Sequence, residues 1–157
     1  MFFKPRDLKP AVRVSRVDET DPLSASSPHA FHLDDADWPT TEHYYQGMKF
    51  LDPGLREQVR VAAGPEEARK LGKQHRRQVR DDWKKVRVTV MTRGVYIKCR
   101  THAEVTGKLL ATGGDDIVES SSYDYFWGIG RDGRGDNEYG KLLMAVRARL
   151  NAEAAEA

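Results

Sequence analysis

The sequence predicts a single α+β domain that is mainly helical with a small β component. A chain of 157 residues can bury one core of ordinary size but not two. Apolar residues recur at the spacing of an amphipathic helix after residue 39 and again from 138 to 150. Short apolar alternations before residue 38 and at 117–118 predict brief strands. No linker or internal repeat divides the sequence, so we treat 1–157 as one domain with a strand and loop region over 1–20.

The composition is that of a soluble cytoplasmic protein. Charged residues make up 32% and apolar residues 39% of the chain, and no apolar run approaches the ~18 residues of a membrane helix. The start, MFFKPRDLKP, resembles neither a secretory signal nor a transit peptide. Cys99 is the single cysteine, which suits a reducing compartment. We therefore expect a cytoplasmic location and no membrane partner.

The first helix is predicted to begin after Thr40, a residue type that caps helices well. Tyr44, Met48 and Leu51 follow at the spacing of an apolar stripe, and the step Asp52-Pro53-Gly54 should end the helix.

Two shorter helices are predicted next. The second carries Leu55, Val59 and Ala62. The third opens at Pro65 with acidic residues in its first turn and should end near Leu71-Gly72.

The segment 81–99 gives conflicting signals. Val86, Val88 and Val90 alternate as in a strand, whereas Trp83, Val90, Met91 and Val95 also suit one face of a helix. Residues 102–111 are predicted to be helical, and a final amphipathic helix should start near Asn137. The tail 151–157 is expected to be frayed.

The first candidate site lies at the start of the first helix. Glu42 falls in its first turn, where the helix dipole favours an ionised carboxylate, and Glu42, Gln46 and Lys49 should share one polar face. That face is a candidate pocket floor, although an acid in a first turn is also ordinary compensation of the dipole.

The second candidate site is the segment 124–137. Asp124 stands beside Phe126 and Trp127, and a glycine-rich loop follows that leads into the last helix. Residues 128–133 match GxGxxG, but the strand, helix and distant acid of a dinucleotide fold are missing from the sequence around them. Such a loop still offers backbone N–H groups to a phosphate, or it is simply a surface turn.

A basic stretch runs from 69 to 87, offset only by Asp81 and Asp82. It reads either as a solvated helical face or as a positive rim for phosphates or a nucleic acid backbone. Its cationic residues are Arg69, Lys70, Lys73, Arg76, Arg77, Arg80, Lys84, Lys85 and Arg87. The five histidines lack the i, i+4 spacing of a zinc site and no GxSxG motif is present, so we predict no metal and no cofactor.

Taken together, these residues resemble the NADAR family, also called YbiA-like. The resemblance runs from Leu23 to Leu150, and its order of motifs is specific. Its landmarks are WPTTEHYYQGMKF (38–50), AGPEEARKLGK (63–73), Asp82-Trp83, Met91, Lys98, LLATGG (109–114) and IVESSSYDYFWGIGRDGRGDNEYGKLLMAVR (117–147).

The resemblance implies a mainly helical domain in which 81–99 is helical. It also implies one pocket where Glu42 and Asp124 are catalytic. We expect the substrate to contact Trp83, Trp127, Gly128, Lys49, Arg69, Gly72, Asn137 and Lys141. Where family members often read LSNF, this chain has Leu23-Ser24-Ala25-Ser26, which leaves the identity of the leaving group open.

The function that the resemblance implies is N-glycosidase activity. Family members include enzymes acting on early riboflavin-pathway intermediates and enzymes that remove ADP-ribose from modified guanine in nucleic acid. We therefore expect hydrolysis of the C1–N bond of a ribose phosphate or ADP-ribose conjugate. Two alternatives are a non-catalytic module that binds ADP-ribose or NAD and a plain nucleic acid binder that uses 69–87.

Overall fold

The computed structural model describes residues 11–157, so the part of the predicted strand and loop region that precedes Ala11 lies outside the described residues. The described chain contains six α-helices, four short strands and one 3₁₀ turn, which confirms the predicted α+β class. In chain order they are β1 Val12–Val14, β2 Phe31–Leu33, β3 Ala36–Trp38, α1 Thr41–Gly47, α2 Pro53–Arg60, α3 Pro65–Gln74, the 3₁₀ turn Arg76–Gln78, α4 Trp83–Thr101, α5 Ala103–Leu110, β4 Ile117–Glu119 and α6 Glu138–Glu156.

The strands form two separate pairs. β1 and β4 run parallel, with Val14 opposite Glu119, which brings residues more than a hundred positions apart side by side. β2 and β3 form an antiparallel hairpin closed by Asp34 and Asp35. Both of these residues have positive φ (52° and 61°), as the two central residues of a type I′ turn require.

The long helices α4 and α6 supply nearly half of the buried residues in the main hydrophobic core. Buried positions of α4 include Val90, Met91 and Val95, which recur at helical spacing, so packing overrides the valine alternation and the segment is helical. α1 lies close to α4 because Gly94 has no side chain: a Cβ there would be 3.0 Å from Cγ2 of Thr41. The close contact fixes the start of α1, where Glu42 lies.

Two predicted helix ends are wrong. α1 ends at Gly47, and Leu51 lies outside it with 65% of its surface exposed, because the neighbouring Phe50 fills the core position instead. α3 continues to Gln74, since Gly72 is an interior residue whose missing side chain makes room for Gln46. The expected frayed tail is helical as far as Glu156, and Glu153 accepts hydrogen bonds there from Tyr96 and Arg149.

Candidate active site

Glu42 is held at the start of α1 with no exposed surface. Thr40 caps the helix as predicted, its Oγ1 accepting from the backbone N–H of His43 at 3.1 Å. The backbone N–H of Glu42 donates to the carbonyl of Ala25 at 2.9 Å, which ties the helix start to the 23–28 loop. The carboxylate is therefore rigidly placed by both backbone and cap.

An arginine whose side chain is 13% exposed joins the two predicted catalytic carboxylates. Nη1 of Arg16 donates to Oε2 of Glu42 at 2.7 Å, and its Nη2 lies 3.8 Å from Oδ2 of Asp124. Oε1 of Glu42 accepts from Nε2 of Gln46 at 2.9 Å. The fold thus brings Glu42 and Asp124 to opposite sides of one guanidinium, although they are far apart in sequence.

The two carboxylates stabilise the charged form of Arg16. Burial by itself would lower the pKa of Arg16, but the charge of Glu42, the hydrogen bond to it and the charge of Asp124 outweigh burial and raise the pKa above its ordinary value. Arg16 is held from behind as well, because its backbone N–H donates to Oε2 of the buried Glu119 at 2.7 Å.

Asp124 is positioned by its own loop. Its Oδ1 accepts the backbone N–H groups of Phe126 and Trp127 at 3.0 and 2.8 Å, a turn that aspartate commonly makes. Oδ2 remains directed at Arg16, and 27% of the side chain is exposed. Asp124 is therefore the more accessible of the two carboxylates.

Aromatic rings line the site next to Glu42. The ring of Tyr45 packs against Trp83 and Trp127, with centroids 5.0 and 5.5 Å apart. Burial, followed by the charge of Glu42, raises the pKa of the Tyr45 hydroxyl to about 12, so it stays protonated at neutral pH. Trp83 and Trp127, both predicted to contact substrate, therefore lie together with Glu42.

Lys49 and Gly72 complete this side of the site. Nζ of Lys49 lies 5.6 Å from the centroid of the Tyr45 ring. Burial lowers the pKa of Lys49, only partly offset by the charge of Glu42. A Cβ at Gly72 would overlap Oε1 of Gln46, a buried atom without a hydrogen-bond partner among the described residues, and would lie 3.4 Å from Nζ of Lys49. Gly72 thus allows α3 to approach this polar face.

Arg69 reaches the site from α3. Its Nη1 donates to Oγ of the buried Ser26 at 2.9 Å, and Ser26 donates in turn to the carbonyl of Arg16 at 3.1 Å. Ser26 belongs to the segment where this chain departs from the LSNF pattern. The loop is also fixed from beneath by Lys98, whose Nζ donates to the carbonyl of Ser24 at 2.7 Å.

The glycine-rich loop that begins at Gly128, together with Asn137 and Lys141, lies beside this centre and only partly contacts it. A Cβ at Gly128 would be 2.6 Å from Oε1 of Glu119, behind Arg16. The side-chain amide of Asn137 binds the backbone of β4: its Nδ2 donates to the carbonyl of Ile117, and its Oδ1 accepts from the N–H of Glu119. Lys141, 3.7 Å from Glu138, lines a separate depression of about 370 Å³ that includes Gly133 and Asn137.

No group of three or more potential metal-ligating side chains (His, Cys, Asp or Glu) is found within residues 11–157. Over the same range, none of the helices is long and apolar enough to cross a membrane.

Comparison with known proteins decides the family. A family model described as the NADAR domain matches residues 1–151. The chain belongs to the NADAR family. An N-glycosidase of Nostoc punctiforme is 43% identical over 131 residues, which cover 82% of this chain and 84% of that protein.

Two further NADAR comparisons bear on fold and function. The NMR structure of the Escherichia coli protein YbiA matches with a TM-score of 0.83 and 33% identity, covering 96% of this chain and 91% of that one. The chloroplastic riboflavin biosynthesis protein PYRR of Zea mays is 38% identical over 143 residues, but this is 82% of this chain and only 23% of that longer protein.

Three site residues of this NADAR domain were not predicted from the sequence. Arg16 stands between Ser15 and Val17, Glu119 follows two apolar residues, and Ser26 lies in a run of small residues, so none carries a local signal. Only the parallel pairing of β1 with β4 brings Arg16 next to Glu119.

The basic stretch of the NADAR domain is spread over several surfaces. Arg80 pairs with Asp82 at 2.6 Å, and the guanidinium of Arg87 lies 3.5 Å above the ring centroid of Phe126 near the site. Arg76 and Arg77 instead line a cleft of about 570 Å³ at the end of α3, together with Lys70, Lys73 and His75. Arg69 and Arg87 thus belong to the candidate site and the others to an outer surface.

Proposed function

We propose that this NADAR domain hydrolyses the N-glycosidic bond of a ribose phosphate or ADP-ribose conjugate. The observation that carries the proposal is the pair of carboxylates, Glu42 and Asp124, held by Arg16 beside a wall of aromatic rings. The name of the Nostoc punctiforme relative, an N-glycosidase, supports the reaction class.

The chemistry requires negative charge near the sugar. Cleavage of a ribosyl C1–N bond passes through a state with oxocarbenium character, which a fixed anion stabilises, while a water molecule attacks C1. Glu42 orients and deprotonates that water, and Asp124 binds ribose hydroxyls or assists proton transfer to the leaving nitrogen. Asp124 suits the second role because 27% of its side chain is exposed and the backbone N–H groups occupy only its Oδ1, while its Oδ2 lies 3.8 Å from Arg16.

Access to Glu42 depends on Arg16. Glu42 has no exposed surface, so a covering side chain has to move before substrate or water reaches it. Arg16 bonds to Glu42 and also lines an open cleft beside Asp124. In the proposed cycle the guanidinium turns from Glu42 toward the incoming substrate and returns after product release.

The position of Lys49, with Nζ 5.6 Å from the centroid of the Tyr45 ring beside Glu42, permits a second route to the same products, and the lowered pKa of Lys49 is consistent with it. Burial increases the fraction of neutral amine, which is the nucleophilic form. Nζ would attack C1 while the leaving nitrogen takes the bonding electrons and a proton. The sugar ring would then open to an imine that water hydrolyses. Reduction with borohydride during turnover separates the routes, because only an imine is trapped as a stable adduct on Lys49.

Two substrate classes fit the proposal, and the relatives bear on one of them. The Zea mays relative is named as a riboflavin biosynthesis protein, which supports a phosphorylated precursor of riboflavin. ADP-ribosylated guanine in nucleic acid is the other class, and there Arg76 and Arg77 would hold the backbone. Changing both to Ser should then weaken use of a DNA substrate and flatten its salt dependence, while a small-molecule substrate is unaffected.

A non-catalytic module that binds ADP-ribose or NAD is the alternative. It would use the same pocket to bind the ligand, but it would release no base from it. Incubating the protein with both substrate classes and measuring released base by mass spectrometry distinguishes an enzyme from a binding module.

A further inference from the structure

An open cleft lined by aromatic residues adjoins the candidate active site. Its volume is about 620 Å³, and it is bounded by Arg16 and Val17 on one side and by residues 121–126 on the other. Tyr123 is 91% exposed and Tyr125 is 47% exposed, so the loop presents two large rings to solvent. Arg16 and Asp124 belong both to this cleft and to the catalytic centre.

Two rings of the loop are held in place by contacts behind them. The Phe126 ring is covered by the guanidinium of Arg87, 3.5 Å from its centroid, and meets Trp127 edge-on at 4.8 Å. The Tyr125 ring lies against Gly130, where a Cβ would overlap it and where φ is 70°. The position of Gly130 therefore favours glycine on two grounds: a side chain would displace the Tyr125 ring, and the positive φ is costly for other residues.

Core packing does not account for Tyr123. A side chain that is 91% exposed buries almost no apolar surface, so it adds little to stability. Exposed aromatic clusters at the mouth of a polar pocket are typical of binding surfaces. On the other side of the site, the buried Ser26 binds Arg69 and offers no ring.

We propose that Tyr123, Tyr125 and Phe126 form a platform on which the planar, aromatic leaving group of the substrate stacks. The inference rests on the proposed glycosidase function, because the ribose would lie at Asp124 and Arg16 with its base directed into the cleft. Aromatic stacking accepts any heterocyclic base, since every base has a π face. The platform thus selects ribosyl compounds with an aromatic base over those with a small or acyclic leaving group.

The test uses Tyr123 variants, because an exposed side chain is replaced without loss of the fold. Binding of guanosine monophosphate and of ribose 5-phosphate is titrated calorimetrically to the Glu42→Gln protein and to the same protein carrying Tyr123→Ala or Tyr123→Phe. Tyr123→Ala should raise the Kd of the nucleotide roughly 5- to 150-fold, the range that loss of one stacking partner gives. Ribose 5-phosphate should be unaffected, and Tyr123→Phe should retain the parent's affinity for both.

Two results would contradict the proposed stacking platform. One is equal affinity of Tyr123→Ala and its parent for the nucleotide. The other is a parent that binds the nucleotide no more tightly than ribose 5-phosphate. Preferential nucleotide binding that depends on Tyr123, in a protein that releases no base from any riboside, would refute the proposed reaction while supporting the platform.

Discussion

The ion pair between Arg16 and Glu42 permits a prediction in which stability and activity separate. Arg16→Met keeps a long apolar side chain but removes the guanidinium that lies 2.7 Å from a carboxylate with no exposed surface. The variant therefore leaves Glu42 buried and without its charged partner. Removing one partner from a buried ion pair costs about 3–5 kcal/mol, because the remaining charge has lost its compensation without regaining water.

For a chain of this size, that loss should lower the melting temperature by roughly 6–20 °C. Changing Glu42 to the neutral Gln as well removes the uncompensated charge, so the double variant Arg16→Met/Glu42→Gln should recover most of the lost stability. It should remain inactive. Arg100→Met is the matched control: its partner Glu153 is 2.9 Å away, but the arginine side chain is 57% exposed, so we expect a loss of at most about 1 kcal/mol.

The assay is urea unfolding of the wild type, both single variants and the double variant, analysed as a thermodynamic cycle. A coupling energy of several kcal/mol is expected between Arg16 and Glu42. If Arg16→Met unfolds within about 1 kcal/mol of the wild type, or if the double variant is less stable than Arg16→Met, the buried pair does not have the structural role described.

Three further predictions concern Gly72, Lys98 and Lys141. Gly72→Ala should displace Gln46 from the carboxylate it holds and reduce turnover by about tenfold, while Gly107→Ala in open helical surroundings should stabilise the protein slightly. Burial lowers the pKa of Lys98 from 10.5 to about 8, so between these values Lys98 binds more protons in the unfolded chain and its contribution to stability should rise with pH. Above pH 9 the neighbouring Cys99 opposes this rise, because burial raises its pKa from 9.0 to about 11. Lys98→Met should therefore flatten the slope of unfolding free energy in that window by roughly 1 kcal/mol per pH unit, as measured by denaturation at several pH values. Lys141→Ala should weaken calorimetric binding of ADP-ribose but not of ribose, and equal binding by the variant and its parent would mean that segment 128–141 holds no phosphate.

Local patterns in the sequence predict much of the fold because helices depend on nearby residues. Thr40 caps α1 as expected, and β4 begins at Ile117 as predicted. The wrong boundaries occur where packing between distant elements decides. Leu51 continues an apolar stripe in sequence, yet the chain has turned by then and Phe50 occupies the core. Residues 83–101 form the helix α4 because one face packs inside the domain, which periodicity alone does not reveal.

The candidate site is less predictable because it depends on contacts between residues far apart in sequence. Glu42 and Asp124 are recognisable from their neighbours, a capped helix start and an aromatic, glycine-rich loop. Arg16 has no such context, and it enters the site only because β1 pairs with β4. Predicted phosphate contacts such as Asn137 and Lys141 remain predictions. In the structure Asn137 binds the backbone of β4, and Lys141 faces a separate depression.

Release of free base is the most direct measure of the proposed glycosidase function. Wild type and Glu42→Gln are each incubated with an oligonucleotide containing ADP-ribosylated guanine and with the phosphorylated riboflavin precursors, and released base is quantified by mass spectrometry. We predict that the wild type releases base from at least one substrate and that Glu42→Gln does so at least about 10²-fold more slowly while remaining folded. A wild type that releases base from neither substrate, or a Glu42→Gln variant that turns over at the wild-type rate, would contradict the glycosidase function or the assignment of Glu42.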